Sequence, residues 1–173
     1  LRALEATFGY PEGFFADITR DGYASLRPLR YAPVAPEDVQ NTVWGCKHTD
    51  RDLLTVLPPA MGKGLQVKTR DGVWIEGGAP EGHSLVQVGD DLKYMTAGYL
   101  RSAVHKIVVP EEGTVQPRFS APYFVYPRHD VNIQPDPAIW DFDPIRHPAK
   151  TAGDYFAARL RDIDLAAQVG GRL

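Results

Sequence analysis

The sequence predicts an all-β core with flanking helices, folded as a β-sandwich or jelly roll. The central part of the chain carries many short runs of β-forming residues, and turns rich in glycine and proline separate them at close intervals. Apolar residues at helical spacing are confined to the two ends and to one short interior stretch. Together these observations favour one β-rich domain with helices before and after it.

Two short helices are predicted to lead into this core. Apolar residues fall at helical spacing over residues 1–8, and a second helical stretch runs from residue 11 to about residue 22. Residues 90–96 predict one helical turn within the β-rich region. A closing helix is expected over residues 151–167, with an apolar face that carries Tyr155, Phe156, Leu160 and Ile163.

The β-rich region predicts eight extended runs. Asp71-Gly72 stands between two of them and is a strong hairpin signal, because glycine there accepts the backbone conformation of a tight turn. No internal repeat is visible, and residues 135–148 form a proline-rich connector. The runs are expected over residues 25–31, 42–46, 53–57, 65–68, 73–75, 85–88, 103–109 and 119–126.

The predicted organisation is a single domain in three segments. At 173 residues and 43% hydrophobic composition, the chain is long enough to bury one core. We expect lead-in helices in residues 1–24, the β core in residues 25–134, and the connector with the closing helix in residues 135–173. The chain opens on Leu1 directly in a helical pattern, so we expect the natural protein to continue upstream.

The composition favours a small-molecule partner in a reducing compartment. A net charge of -3 and a pI near 5.9 predict neither a nucleic-acid surface nor an anionic-membrane surface. The single cysteine, Cys46, has no partner for an internal disulfide, and no apolar run has the length of a signal peptide or membrane span. A cytoplasmic location is expected. Cys46 is predicted to be a small buried filler, and the alternative is a position near a metal site at His48, with which it shares strand parity, where it would be open to oxidation.

Three residues have the chemistry and spacing of a metal site. His48 and Asp50 are separated by one residue, and alternate side chains of an extended chain point the same way. His105 lies in the predicted strand over residues 103–109, which is able to pair nearby. Two imidazoles and one carboxylate on one face of an ion leave open positions, as in non-haem iron(II) oxygenases. A His-x-Asp sequence alone is common by chance, and His83, His129 and His147 are interpreted as ordinary surface residues.

Arg118 and Ser120 form a second candidate site at the start of the last predicted strand. The two residues share one face, and a guanidinium with a hydroxyl is a good receptor for a carboxylate. The alternative is that Arg118 forms an ordinary salt bridge at the rim of the domain. The joint occurrence of this pair with the His-x-Asp sequence and the distal histidine favours the functional interpretation.

The ordered set of motifs resembles the catalytic domain of the isopenicillin N synthase-like 2-oxoglutarate and iron(II)-dependent dioxygenases. The resemblance extends from Leu29 to about Pro127. It is carried by Arg30-Tyr31-Ala32-Pro33, His48-Thr49-Asp50, Leu53-Leu54-Thr55-Val56-Leu57, Gly64-Leu65-Gln66-Val67, Asp71-Gly72-Val73-Trp74-Ile75, Val88-Gly89-Asp90-Asp91-Leu92, the segment from Gly98 to His105, and Arg118-Phe119-Ser120-Ala121-Pro122-Tyr123-Phe124.

This resemblance implies a double-stranded β-helix that holds iron between its two sheets. It implies Fe(II) on the predicted triad, 2-oxoglutarate on Arg118 and Ser120, and contacts from Tyr31 and Arg30 to a small-molecule substrate. Dioxygen would be the second substrate, and hydroxylation with release of succinate and carbon dioxide the expected outcome. We also expect each ligand histidine to use its second ring nitrogen for an outer-shell hydrogen bond.

Two other functions remain open at this stage. One is an oxidase of the isopenicillin N synthase type that needs no keto acid, in which Arg118 and Ser120 would bind the carboxylate of the substrate itself. The other is a metal-binding jelly-roll module without turnover. Open metal positions that face a carboxylate receptor argue against the module, because a simple binder has no use for them.

Overall fold

The computed structural model describes residues 1–170 of the chain, with side chains as far as Arg161. Ile163, which the sequence placed on the apolar face of the closing helix, therefore lies outside the described side chains. Over the described range, none of the helices combines the length and the apolar character needed to cross a membrane. The helices are α1 (Arg2–Phe8), α2 (Phe14–Thr19), α3 (Asp90–Met95) and α4 (Ala152–Gly170), with a 3₁₀ helix at Pro36–Asn41.

The chain forms two compact units, each assembled from separate stretches of sequence. The strand unit comprises Ala24–Asp90 and Arg101–Val125. The helical unit comprises Leu1–Tyr23, Asp91–Leu100 and the described part of the chain from Tyr126 onward. The three-segment division of the chain into residues 1–24, 25–134 and 135–173 stays a prediction.

The strand unit contains ten strands in antiparallel sheets. The strands are β1 (Ala24–Leu26), β2 (Leu29–Tyr31), β3 (Gly45–His48), β4 (Leu54–Leu57), β5 (Leu65–Lys68), β6 (Trp74–Glu76), β7 (Leu85–Val88), β8 (His105–Ile107), β9 (Arg118–Ser120) and β10 (Tyr123–Val125). One sheet has the order β1-β10-β4-β7, another has the order β3-β8-β5-β6, and β2 pairs with β9. Apart from the β5–β6 hairpin, which stays within one sheet, the chain passes repeatedly from sheet to sheet, which is the arrangement of the predicted double-stranded β-helix.

Two of the predicted extended runs are each divided into two strands. The run over residues 25–31 breaks at Pro28 into β1 and β2, and the run over residues 119–126 breaks at Pro122 into β9 and β10. Proline has no N–H to donate to a ladder, so a strand ends or bends where it stands. The two breaks lie opposite each other, since the Arg27 N–H donates to the Pro122 carbonyl at 3.0 Å. The paired ribbon therefore changes sheets at this corner.

Turn chemistry was predicted more accurately than the helical content of the loops. The Asp71-Gly72 hairpin is confirmed: β5 and β6 pair antiparallel across it, and Gly72 has a φ of 87°. The 3₁₀ helix at Pro36–Asn41 was not predicted, although proline at its first position favours a helical start.

The helical unit buries an apolar core that includes the acidic residue Glu5. Phe15 and Ile133 are fully buried, and Tyr10 packs against Phe15 with ring centroids 5.1 Å apart. Glu5 of α1 is also buried, and its carboxylate accepts hydrogen bonds from the Gly13 and Phe15 N–H groups at 3.1 and 2.9 Å. These donors are orphan groups at the start of α2, so the buried charge caps that helix.

Candidate metal centre

Two strands of one sheet bring the two predicted histidines together. β3 pairs antiparallel with β8, and His48 and His105 are register partners. Partners in an antiparallel pair point to the same face, and the two ring centroids are 4.3 Å apart. A register shift between Gly45 and His48 belongs to this pairing, and such bulges re-aim side chains.

Asp50 completes a group of three ligand-type side chains. It lies just beyond the end of β3, and one carboxylate oxygen, Oδ1, is 3.6 Å from His105 Nε2 and 3.9 Å from His48 Nε2. The three potential ligand atoms all lie within 4.8 Å of one another. Two imidazole nitrogens and one carboxylate oxygen at this separation suit a first-row divalent metal ion.

The second nitrogen of each imidazole forms the predicted outer-shell hydrogen bond, and its partner in both cases is a backbone carbonyl. His48 Nδ1 lies 2.8 Å from the Cys46 carbonyl oxygen, and His105 Nδ1 lies 3.2 Å from the Ala103 carbonyl oxygen. A carbonyl only accepts, so each Nδ1 carries the proton and donates it. Each Nε2 then presents a lone pair toward Asp50, which is the tautomer that a metal ligand needs.

Burial differs sharply between the two imidazoles. The side chain of His48 is 52% exposed, whereas those of His105 and Asp50 are 7% and 6% exposed. Burial lowers the pKa of His105, and the charge of Asp50 only partly opposes this effect. His105 is therefore held as the neutral imidazole that coordinates metals, at the base of a group whose other imidazole faces solvent.

Asp50 is itself held by a buried polar network. Thr55 of β4 is almost fully buried, and its Oγ1 lies 2.6 Å from Asp50 Oδ2 and 3.1 Å from Asp52 Oδ2. Asp52 is fully buried, and desolvation together with the Asp50 charge raises its pKa to about 7. The Asp50 carbonyl accepts from the Asp90 N–H at 2.8 Å, which ties the loop to the start of α3.

Arg118 presents a buried cation with unused hydrogen-bonding capacity. It is 3% exposed, its Nε donates to the Lys63 carbonyl at 2.9 Å, and its guanidinium lies 5.0 Å from the centre of the Tyr31 ring. Burial lowers its pKa from the usual value. Among the described residues, Arg118 Nη1 is buried and has no hydrogen-bond partner. An unsatisfied charged donor in the interior is costly, so the site suits an anion that enters from outside the chain.

Tyr31 and Arg30, the two residues predicted to contact a substrate, do not share a face of their strand. Tyr31 is the register partner of Arg118, but Arg30 is the partner of Phe119 and therefore points to the opposite face. Arg30, Phe119 and Ser120 line a cavity of about 370 Å³.

Cys46 is exposed, so the expectation of a buried filler was wrong. Cys46, Lys47 and His48 are all exposed in β3, so this part of the strand lies at the surface rather than in the core.

Sequence reasoning missed Thr55, Asp52 and the Lys63 carbonyl. Thr55 carried a usable signal, because it is a polar residue at a buried position in the apolar run Leu53-Leu54-Thr55-Val56-Leu57, where a hydroxyl must find a partner. Nothing in the local sequence identifies the partner. The Lys63 carbonyl has no sequence signal, since every residue has a backbone carbonyl.

Comparison with known proteins agrees with this fold and with the family that the motifs resemble. The profile of the 2OG-Fe(II) oxygenase superfamily matches residues 23–127. The full-length T7H of Neurospora crassa, solved with alpha-KG and thymine, is similar with a TM-score of 0.83 and 28% identity over 94% of this chain and 51% of that chain. A 2OG-Fe(II) oxygenase family protein from Caulobacter crescentus has a TM-score of 0.81 and 32% identity over 94% of this chain and 53% of its own.

The relatives found by sequence include a dioxygenase and a hydroxylase. Gibberellin 2-beta-dioxygenase 1 of Pisum sativum is 30% identical over 75% of this chain and 40% of its own length. Proline hydroxylase buaE of Petromyces alliaceus is 31% identical over 78% of this chain and 44% of its own length. The chain thus spans less than half the length of these relatives. A double-stranded β-helix that carries a group of two histidines and one aspartate is the architecture of a non-haem iron oxygenase. The chain belongs to the 2OG-Fe(II) oxygenase superfamily.

Proposed function

We propose that the chain is the core of an oxygenase that uses Fe(II), 2-oxoglutarate and dioxygen. The reaction would hydroxylate a small-molecule metabolite and release succinate and carbon dioxide. The names of the relatives support a small substrate, since they include a proline hydroxylase and a dioxygenase of gibberellin. Absence of nucleic-acid or membrane partners and a cytoplasmic location remain predictions from composition.

One observation carries this proposal: the strand unit holds a metal-ligand group and a buried, incompletely satisfied cation. The group is His48, Asp50 and His105, and the cation is Arg118. A metal alone would explain the first feature, and a structural ion pair would explain a fully partnered arginine. An anionic cosubstrate that binds beside a metal accounts for both features.

The residues of the chain would bind and orient, while the bound iron and 2-oxoglutarate together supply the oxidising chemistry. His48 and His105 would each offer Nε2 to the metal, because backbone carbonyls hold their Nδ1 protons. Asp50 would offer Oδ1. Arg118, with Ser120, would bind the distal carboxylate of 2-oxoglutarate, and the contact with Tyr31 would keep the guanidinium plane in place. Arg30 and Tyr31 are the residues that we propose for substrate contact.

The direct test is the conversion of 2-oxoglutarate to succinate by the protein. We expect succinate to form only when both Fe(II) and 2-oxoglutarate are present, and to form faster when a true substrate is added from a panel of small metabolites. Calorimetric titration of the anaerobic Fe(II) form with 2-oxoglutarate measures cosubstrate binding independently of turnover. Tight iron binding with neither binding nor consumption of 2-oxoglutarate would contradict the proposal and favour the metal-binding module.

A further inference from the structure

The two oxygens of Asp50 have different partners, and the difference depends on one hydroxyl. Oδ1 faces the Nε2 atoms of both imidazoles at 3.6 and 3.9 Å. Oδ2 lies 2.6 Å from Thr55 Oγ1. A hydrogen bond this short draws Oδ2 toward Thr55, while Oδ1 faces the imidazoles, so the arrangement favours coordination through Oδ1 alone.

The position of the Thr55 hydroxyl is fixed by the sheet. Thr55 lies in β4, a strand with partners on both sides: it pairs with Phe124 of β10 and with Gln87 of β7. Its side chain is 1% exposed, and a β-branched side chain has few rotamers available. Asp50, by contrast, follows β3 of the other sheet and lies in a loop. The hydroxyl therefore connects a rigid strand of one sheet to a ligand that is carried by the other.

The hydroxyl has one proton, and distance assigns it. Thr55 Oγ1 lies within hydrogen-bonding distance of two carboxylates, at 2.6 Å from Asp50 and 3.1 Å from Asp52. The shorter distance is in the range of a charge-assisted O–H···O⁻ bond, so the proton belongs on the Asp50 side. Asp52 receives a separate backbone donor, the Val125 N–H, at 3.3 Å.

We propose that Thr55 is a positioning residue for the metal site: its hydroxyl holds Asp50 Oδ2 and thereby directs Oδ1 toward the ion. The inference rests on the proposed function, because it assumes that Asp50 is a ligand. Outer-shell partners of this kind typically change metal affinity by 10- to 100-fold when they are removed. Without the Thr55 hydroxyl, we expect the Asp50 carboxylate to rotate or to bind the metal with both oxygens, and the affinity for the metal to fall.

The test is titration of the metal-free protein with Co(II) as a probe, followed by its visible spectrum and by calorimetry. Thr55→Val, which keeps the shape of the side chain, should weaken Co(II) binding by about 10- to 100-fold and change the d–d absorption of the bound ion. Thr55→Ser keeps the hydroxyl, so this variant should have the Co(II) affinity and the spectrum of the native protein. Thr55→Ala is a second variant without the hydroxyl, for use if the Thr55→Val protein does not fold.

A matched control is Thr96→Val. Thr96 is also fully buried, but its Oγ1 donates to the Leu92 carbonyl at 2.9 Å within the helical unit. Loss of that hydroxyl should lower thermal stability and leave Co(II) affinity unchanged. If the hydroxyl-free Thr55 variants bind Co(II) with native affinity and spectrum, the positioning role is wrong. If the native protein does not bind Co(II) or Fe(II) at all, the proposed function itself fails.

Discussion

The helical unit and the strand unit each bury a charged side chain, Glu5 and Arg118, and the two differ in their hydrogen bonds. In the helical unit, the buried carboxylate of Glu5 accepts two backbone N–H groups and so has partners for both oxygens. In the strand unit, Arg118 is equally buried but leaves Nη1 without a partner among the described residues. Two imidazoles there also direct their Nε2 atoms at one carboxylate oxygen.

We interpret this difference as one between a charge that stabilises the fold and a charge that suits a ligand. Burial of a charge is unfavourable unless hydrogen bonds compensate it. Two backbone donors compensate Glu5, so this buried acid is explained as a helix cap. Among the described residues Arg118 Nη1 has no partner, and we propose that a bound anion compensates it. Burial alone does not distinguish the two residues, whereas their hydrogen-bond partners do.

The largest expected effect is the loss of Fe(II) binding when a ligand of the strand unit is removed, with the helical unit unchanged. His105→Ala removes a buried ligand from the group of three, and we expect Fe(II) binding to be lost at concentrations that saturate the native protein. His83→Ala is the control, because His83 is exposed and its Nδ1 also contacts a backbone carbonyl two residues earlier, that of Glu81 at 3.0 Å. Equilibrium dialysis with Fe(II) under anaerobic conditions measures both. Native-like iron binding by His105→Ala would remove it from the ligand set.

The next effect tests the unsatisfied cation and separates the two enzyme functions. Arg118→Gln removes a charge-assisted contact in a poorly solvated site, which should cost about 2–3 kcal/mol, or about 30- to 150-fold in 2-oxoglutarate affinity. Fe(II) binding should persist, because the group of three is unchanged. The half-saturating 2-oxoglutarate concentration in the succinate assay is the measurement.

Arg146→Gln serves as the control for this change. Arg146 is 82% exposed and forms a surface ion pair with Asp143, so its replacement should leave the cosubstrate requirement unchanged. If Arg118→Gln raised only the requirement for the substrate, Arg118 would be the anchor of the substrate carboxylate. The oxidase that needs no keto acid would then be the better assignment.

A smaller effect is expected from the satisfied carboxylate of the helical unit. Glu5→Gln weakens the hydrogen bonds to the start of α2 and should lower the free energy of unfolding by about 1–2 kcal/mol. Fe(II) affinity should not change. Urea unfolding and iron titration of the same preparation test both statements. A loss of iron binding without a loss of stability would show that Glu5 is not simply a structural cap.

The smallest effect concerns Tyr10, whose hydroxyl donates to the Met95 carbonyl at 3.3 Å and accepts from Trp140 Nε1 at 2.9 Å. Burial raises the pKa of Tyr10 above its ordinary value of 10. Above pH 10 the unfolded chain loses this proton while the folded chain keeps it, so stability falls as pH rises. Tyr10→Phe should show a shallower decline in melting temperature above pH 10. An unchanged slope would mean that Tyr10 ionises equally easily in both states.

The sequence by itself determined the fold class, the hairpin at Asp71-Gly72 and the residue types of the site. Local chemistry is enough for these, because β-forming runs, turn residues and ligand side chains are visible in short windows of sequence. It also predicted an outer-shell hydrogen bond from the second ring nitrogen of each histidine, which follows from the general behaviour of metal-bound imidazole. The strand breaks at Pro28 and Pro122 were within reach of the same local rules.

Only the tertiary structure decided which distant residues meet. The pairing of β3 with β8 places His48 opposite His105, 57 positions later in the chain, and Cys46 is exposed although a buried filler was predicted. Thr55 reaches Asp50 because β4 crosses to the other sheet, and Arg118 donates to the Lys63 carbonyl, which has no sequence signature. Such contacts depend on register and chain crossing, which are set by the packing of the whole unit rather than by any local sequence.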